Sequence, residues 1–330
     1  MILVLELALL AVGLALPLAL DHFWIVLATR IVLVCLPALS FDLLWGYSGI
    51  MSFGQALFYG TAAYSAALLA RDAGFTSIFV IVPACTLIGL VLALVMAWFL
   101  LLGRYPPSTI FVALGTLTGA YAADRLARGW YYLGGQNGIP SIPPLTAGPF
   151  TIAEGPVFYY LALTILVVVY ALCRVLVRSQ FGLVLAGIRQ QEERISFLGY
   201  RVQHFKAIVF TLAGGICGLS GALAAFHDGF VWPNMLGVLL STQIVLYVLF
   251  GGVGTLVGAV IGVASIEYVS FLLADNFQTF WPILLGLLLL VVVLFRRSGL
   301  VGLVVTERER FGRFGRAPAR AEVGRGHGAA

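Results

Sequence analysis

The sequence contains little charge. Asp, Glu, Lys and Arg make up 10% of its 330 residues, apolar residues make up 61%, and the mean hydropathy is +1.04. Soluble globular domains have about 25% charged and about 45–50% apolar residues. The composition therefore argues against a soluble domain and predicts an all-α polytopic membrane protein, because one crossing takes about 20 apolar residues. A β-barrel is disfavoured, since the long apolar runs do not alternate with polar residues.

Residues that carry catalytic or metal chemistry are scarce and scattered. The four cysteines stand alone in apolar segments, which favours packing over metal binding: Cys35, Cys85, Cys173 and Cys217. The four histidines are equally dispersed, so no site of an integral membrane enzyme is indicated. The chain also lacks the G-x-x-x-x-G-K-S/T loop that binds nucleotide phosphates. We expect a non-catalytic protein without metal, cofactor or nucleic-acid partner.

Apolar segments long enough to be membrane spans recur along the chain. We predict ten spans, at about 2–20, 23–45, 50–70, 77–102, 108–123, 157–177, 207–227, 237–250, 254–274 and 280–296. The first segment has no basic region before it, so we expect a retained span rather than a cleaved signal. Residues 1–306 form the predicted membrane domain. Residues 307–330, rich in Arg, Gly and Ala, form a basic tail that we expect to be disordered.

Basic residues predict the orientation of these spans. Alternation of ten spans places fifteen of the nineteen Lys and Arg residues on one side, among them Arg104 and the tail. Since Lys and Arg near span ends stay in the cytoplasm, that side is predicted to be cytoplasmic, together with both termini. Asp124 falls near the outer end of the fifth span, where we expect it to be solvated.

Residues 178–206 form the one long charged stretch between two spans, with five Lys or Arg and two Glu. Ile188, Ile195 and Leu198 fall on one apolar face of a predicted helix over 188–198, which Gly199 would end. A short amphipathic helix can dock in a groove of a partner protein, or it can lie on the membrane interface. We favour docking to a cytoplasmic partner.

Two glycine clusters interrupt the apolar sequence, at residues 46–54 and at residues 251–262. Gly-broken segments in the two parts of a transporter indicate unwound helices around a solute path. Close packing of helices is the alternative, and the sequence leaves both open. A third set of glycines favours packing: Gly214, Gly215, Gly218 and Gly221.

Four motifs in this order resemble the permease subunit of branched-chain amino acid ABC transporters, the LivM type of the LivH/LivM pair. Residues 46–60 with Ala63 and Tyr64 resemble the signature GYAGQLSLGHAAFFGIGAY, and residues 134–140 resemble GGSNGL. The cytoplasmic loop matches at 179–182, 188–189, 192, 198–199 and 206, and residues 251–258 resemble GGLGSLWGP. The resemblance extends from about Leu33 to Gly302.

This resemblance implies the permease architecture of an ABC importer in the bacterial cytoplasmic (inner) membrane, with about ten transmembrane helices. Transport would be by alternating access, most directly of branched-chain amino acids; urea, short amides, other amino acids and aromatic acids stay open. The implied partners are ABC ATPase subunits, a second LivH-type permease in a heterodimer or a second copy of this chain, and an extracytoplasmic solute-binding protein. The outer segment 124–156, with Trp130, Tyr131 and Tyr132, could receive that binding protein or anchor the chain at the interface.

The resemblance also implies the functional residues. Coupling to the ATPase is expected at Gly182, Arg189, Glu192, Gly199 and Lys206. The solute path is expected at Ser52, Gln55, Tyr64, Asn137, Gly251 and Gly252. Gln55 stands where the family often has His, which bears on the solute. An ion-coupled secondary transporter is the alternative class, and Asp42 and Glu267 are its only plausible titratable groups in the apolar segments.

Overall fold

The computed structural model describes residues 2–103, 108–276, 286 and 299–301. The predicted tail 307–330, Arg104 and the predicted span 280–296, apart from Gly286, lie outside the described residues. The described part is almost entirely helical, which confirms the all-α class. Its α-helices are α1 Ile2–Ala19, α2 His22–Phe41, α3 Gln55–Asp72, α4 Ile78–Leu100, α5 Thr109–Gly129, α6 Pro156–Arg178, α7 Gln180–Gln190, α8 Glu192–Phe197, α9 Val202–Asp228, α10 Val238–Gly251 and α11 Leu256–Asn276.

Nine of the ten predicted spans coincide with helices, namely α1–α6 and α9–α11. Four described helices are long and apolar enough to cross a membrane alone: α2 with its continuation to Ser48, α4, α6 and α9. The predicted separate crossing at 237–250 corresponds to α10, which is too short to cross a membrane by itself. The 14 residues of α10 rise about 21 Å, less than the roughly 30 Å of a hydrocarbon core. Because Gly252 and Gly254 have positive φ angles, the chain turns there, and α10 and α11 form a pair bent by 113°.

α5 continues beyond the predicted end at 123, to Gly129. Asp124 is 8% exposed, and the Nε of Arg128 lies 2.9 Å from its carboxylate. The expectation that Asp124 is solvated was therefore wrong. Opposite charges one turn apart stabilise a helix, so this pair extends α5 past its apolar stretch.

α9 lies at the centre of the bundle and packs against α2, α3 and α4. Its glycines let the neighbouring backbones approach closely. A Cβ at Gly221 would lie 2.0 Å from the carbonyl oxygen of Tyr59, and a Cβ at Gly214 would lie 2.2 Å from the Cβ of Ala93. Small residues allow this approach in lipid, where van der Waals packing holds helices together. The packing interpretation of the third glycine set is confirmed.

Polar groups attach α1 to α6 along its length. The hydroxyl of Tyr159 donates to the carbonyl of Gly13 at 2.7 Å, and that of Tyr170 donates to Glu6 Oε1 at 2.6 Å. The guanidinium of Arg174 pairs with Glu6 Oε2. Charged groups within a membrane are costly unless they are paired, and the Glu6–Arg174 pair joins α1 to α6.

Connections at one end of the bundle pack together. The strands β1 (Leu145–Ala147) and β2 (Phe150–Ile152) form an antiparallel hairpin that the sequence had not indicated. Thr146 of β1 pairs with the chain between α3 and α4, through its N–H to the carbonyl of Thr76 at 2.8 Å. Residues Ile139 and Val231 also pair across this end. The predicted coupling loop lies at the opposite end, with the two glycine breaks.

Candidate coupling site and solute path

The two glycine-broken segments predicted from the sequence contact each other directly. α2 continues after Phe41 as a π-helical turn, Asp42–Ser48. Asp42 is fully buried, and its Oδ1 accepts a hydrogen bond of 2.6 Å from the N–H of Gly254. A Cβ at Gly46 would lie 2.7 Å from the same nitrogen. The break after α2 and the break between α10 and α11 therefore form one junction, which we call the break junction (residues 42–48 and 251–255).

Arg189, at the end of α7, reaches the break junction from the predicted coupling loop. Its guanidinium donates a hydrogen bond to the carbonyl of Gly46. The same guanidinium lies 3.2 Å from the position of a Cβ at Gly254. A cavity of about 180 Å³ opens beside it, lined by Gly46, Tyr47, Ala186, Arg189 and Gln190. One cation of the loop thus binds the backbone of the first break next to the second.

The single helix predicted over 188–198 is two helices in the structure. α7 ends at Gln190, Gln191 is extended with φ −152°, and α8 begins at Glu192. The bend folds α8 against α7, where the Cδ1 of Ile195 lies 2.7 Å from the position of a Cβ at Gly187. The prediction was wrong because Ile188 and Ile195 do not share a face: Ile188 is buried in the bundle, and Ile195 packs on α7.

The bend also places Glu192 beside Lys206. Their Oε2 and Nζ atoms are 2.6 Å apart, with the lysine side chain 10% exposed and the glutamate side chain 38% exposed. This pair ties α8 to the first turns of α9. Two residues named as coupling residues therefore contact each other within this chain.

The two glycines of the predicted coupling set have conformational roles. A Cβ at Gly182 would lie 2.1 Å from the carbonyl oxygen of Val177, so a side chain would not fit in the turn from α6 to α7. Gly199 has φ +87° and follows α8, in the left-handed conformation that commonly ends helices. The helix therefore ends where Gly199 predicted. Just before it, Phe197 and Leu198 are 89% and 72% exposed, so α8 presents an apolar tip.

The unwound residues 49–54 lie inside the bundle. The N–H of Phe53 donates to Thr116 Oγ1 at 3.0 Å, and the N–H of Ala56 donates to Ser241 Oγ at 3.1 Å. The Ser241 hydroxyl in turn donates to the carbonyl of Phe53 at 2.6 Å. Thr116 lies about 10 Å along α5 from the first residue of that helix, so the unwound segment contacts α5 well inside the helix and not at its end. Unwound backbone at membrane depth needs such partners or a water-filled cavity.

Gln55 opens α3 directly after this unwound segment. It is 1% exposed, and neither end of its amide has a hydrogen-bond partner among the described residues. A buried polar group without a partner costs about 1–3 kcal/mol, and such groups in native proteins commonly meet water or a ligand. Gln55 is therefore the strongest candidate for a solute contact. Ser52, also buried, instead accepts the N–H of Gly54 at 3.1 Å and stabilises the local turn.

The other residues predicted for the solute path do not join Gln55. Tyr64 is buried on α3, about two and a half turns further on and so on the opposite side of the helix. Asn137 is exposed in the connection between α5 and α6. A Cβ at Gly251 would lie 1.8 Å from the carbonyl oxygen of Gly258, and Gly252 has φ +122°. These two glycines therefore support packing and turning at the break junction.

Sequence reasoning missed Thr116 and Ser241. A lone hydroxyl in an apolar helix usually bonds to its own helix backbone, and no local pattern marks these two as partners of another segment. The two candidates for ion coupling also have partners: Asp42 holds Gly254, and Glu267 accepts from the hydroxyl of Tyr247. Both side chains thus stabilise contacts between helices.

Comparison with known proteins assigns this arrangement to a family. Residues 24–293 match the family described as "Branched-chain amino acid transport system / permease component". The chain belongs to this permease family. The permease is therefore a multi-pass component of an ABC importer in the inner membrane, and the resemblance carried by the four motifs is confirmed. No solved structure matches it.

Relatives of the permease have names that cover more than one solute. It is 28% identical over 322 residues to the high-affinity branched-chain amino acid transport system permease protein LivM of Salmonella typhimurium. That alignment covers 89% of this chain and 73% of the relative. It is 21% identical over 277 residues to BraD of Pseudomonas aeruginosa, named for the same transport system, with 80% and 90% covered. It is also 26% identical over 228 residues to the autoinducer 2 import system permease protein LsrC of Salmonella paratyphi B, with 64% and 62% covered.

Proposed function

We propose that this permease translocates branched-chain amino acids by alternating access, driven by separate ABC ATPase subunits. In this proposal a LivH-type second permease completes the pore as a heterodimer, and an extracytoplasmic solute-binding protein delivers the solute. Both termini and the loop 178–206 face the cytoplasm. The hydrogen bond from Arg189 to Gly46 supports the proposal best, because it connects the loop to the break junction.

The proposed mechanism follows the contacts of the loop. An ATPase subunit binds the apolar tip at Phe197 and Leu198, and its movement shifts α7 and α8 as one unit. Arg189 passes this shift to the carbonyl of Gly46, and the hydrogen bond between Asp42 and Gly254 passes it to α10 and α11. Movement at paired helix breaks is a recurring way to open a path in transporters. The movement then reaches the unwound residues 49–54 and Gln55, which follow the break junction in the chain.

The proposed solute suits Gln55. Its amide offers both a donor and an acceptor, as a zwitterionic amino acid requires at its carboxylate and ammonium groups. The adjoining Phe58 offers an apolar neighbour for a branched side chain. The names of the LivM and BraD relatives support the same solute class. The name of the LsrC relative makes autoinducer 2 the second candidate solute.

Uptake in membrane vesicles that contain the complete transport system tests the solute and the energy source. We expect labelled leucine to enter only with ATP inside, to enter in the presence of a protonophore, and to be displaced by isoleucine and valine. Competition by autoinducer 2 but not by valine would refute the proposed solute. Uptake that needs a proton gradient and no ATP would refute the importer mechanism.

Substitution of Arg189 tests the coupling route. Arg189→Gln removes a hydrogen bond from a charged donor, worth about 1.5–3 kcal/mol, so we expect ATP-driven uptake to fall about tenfold or more. Arg194→Gln is the matched control, because Arg194 is exposed on α8 and takes part in no ion pair within the described residues. Equal amounts of each variant in the membrane must be shown by immunoblot. Normal uptake by Arg189→Gln would remove Arg189 from the mechanism.

A further inference from the structure

Two arginines lie at the end of α6, next to the loop, and only one carboxylate of the described residues is near enough to neutralise them. Arg174 and Arg178 are one turn apart, close enough for their positive charges to repel each other. Glu6 pairs with Arg174, and its second oxygen is occupied by the hydroxyl of Tyr170. Arg178 takes part in no ion pair with any residue that the structure describes. One positive charge at this position is therefore uncompensated by the described residues.

A cavity of about 530 Å³ adjoins this charge, lined by Arg174, Val175, Arg178 and Ser179. Ser179 is the residue before α7, so the cavity lies next to the start of that helix. Helix N-termini favour anions, because their N–H groups lack partners within the helix and the dipole is positive there. Two arginines and the residue before α7 thus line one space.

An apolar stripe runs along α6 away from this cavity. Val168, Leu172 and Val175 recur at helical spacing and are 52%, 64% and 69% exposed, whereas the opposite face of α6 is buried in the bundle. Such a stripe suits the acyl region of a membrane, and Arg178 follows it as the last residue of α6. The surface therefore changes from apolar to basic along α6. This order matches the apolar acyl chain and the anionic headgroup of a phospholipid.

We propose that this surface binds an anionic phospholipid, with the headgroup phosphate between Arg174, Arg178 and the start of α7 and an acyl chain along Val168, Leu172 and Val175. Basic pockets at the ends of transmembrane helices are known to hold anionic headgroups. The bound lipid would brace the turn from α6 to α7, where the predicted coupling loop begins. The proposal depends on membrane insertion and not on the identity of the solute.

Native mass spectrometry of the full-length permease, purified in detergent without ATPase or solute, tests the proposal. Phosphatidylglycerol and phosphatidylcholine with identical acyl chains are titrated separately. We expect phosphatidylglycerol to bind at least about fivefold more tightly, and Arg178→Gln to remove this preference, since one basic residue near an anionic surface changes affinity by about fivefold. Arg178 is chosen because loss of Arg174 would leave Glu6 unpaired and could unfold α1.

Two control variants and one competitor make the result specific. Arg201→Gln, before α9 at the same end of the bundle, and Arg125→Gln, on α5 at the other end, should keep the preference. Arg178→Lys should retain part of it. Equal binding of both lipids, or an unchanged preference in Arg178→Gln, would overturn the proposal.

Displacement of phosphatidylglycerol by millimolar inorganic phosphate would also overturn it and would indicate a soluble anion instead. A cross-link from a cysteine at Leu172 to a second permease subunit would show that protein, and not lipid, covers the stripe. A failure of leucine uptake would leave the lipid titration unaffected, so the two proposals fail separately.

Discussion

Loss of the carboxylate at Glu192 should loosen α8 more than loss of the ammonium at Lys206. Glu192→Gln leaves a lysine whose side chain is 10% exposed without a counter-ion, whereas Lys206→Met leaves a glutamate that is 38% exposed and can be hydrated. Removal of one partner of a fully buried pair costs about 3–5 kcal/mol. This pair is half-buried and Gln keeps an acceptor oxygen, so we expect about 1–2 kcal/mol for Glu192→Gln and less than about 1 kcal/mol for Lys206→Met.

Hydrogen exchange measures this difference locally. α8 contains no buried residue, so its protection depends on the ion pair and on the packing of Ile195 on Gly187. A loss of 1–2 kcal/mol corresponds to roughly 5–30-fold faster exchange, measured by mass spectrometry of peptides that cover α8 in lipid nanodiscs. Lys206→Met should accelerate exchange about fivefold at most.

Glu193→Gln is the matched control, because Glu193 is an exposed glutamate on the same turn and joins no ion pair in the described part of the chain. Its exchange should equal that of the unmodified permease. The double variant Glu192→Gln/Lys206→Met should cost less than the sum of the single changes. Equal acceleration by Glu192→Gln and Glu193→Gln, or a larger effect of Lys206→Met, would refute the assignment of this contact.

Two further outcomes follow from the packing and the outer connections. Gly221→Ala should lower the melting temperature in detergent by several degrees, because its Cβ would lie 2.0 Å from a backbone oxygen of α3 and overpacking costs about 1–3 kcal/mol; Gly129→Ala, with open space around it, should not, and equal melting of both would contradict the close contact. Hydrogen bonds from Arg71 and Tyr132 lower the pKa of Asp72 from 3.8 to about 2, so this contact should be fully stabilising above pH 3.8 and lost as the pH falls through about 2. Tryptophan fluorescence should follow that loss, and a transition centred well above pH 3.8 would contradict it.

The sequence by itself determined the membrane class, the positions of nine described helices and the family. Each of these depends on features that are local in the chain. An apolar run of about 20 residues must be a helix in lipid, since every backbone group must be paired. Glycine motifs in a set order identify a family without knowledge of their contacts. The end of α8 just before Gly199 was also predicted from the sequence, because left-handed helix ends favour glycine.

Only the tertiary structure decided how the breaks and the loop are joined. The hydrogen bonds of Asp42 with Gly254 and of Arg189 with Gly46 connect residues far apart in the chain, and so do those of Thr116 and Ser241 with residues 53–56. No periodicity encodes such pairs. The bend at Gln191 and the shortness of α10 are of the same kind, since each depends on what packs across from it. Gln55 could be named from the sequence, but its burial without a partner is a property of the folded bundle alone.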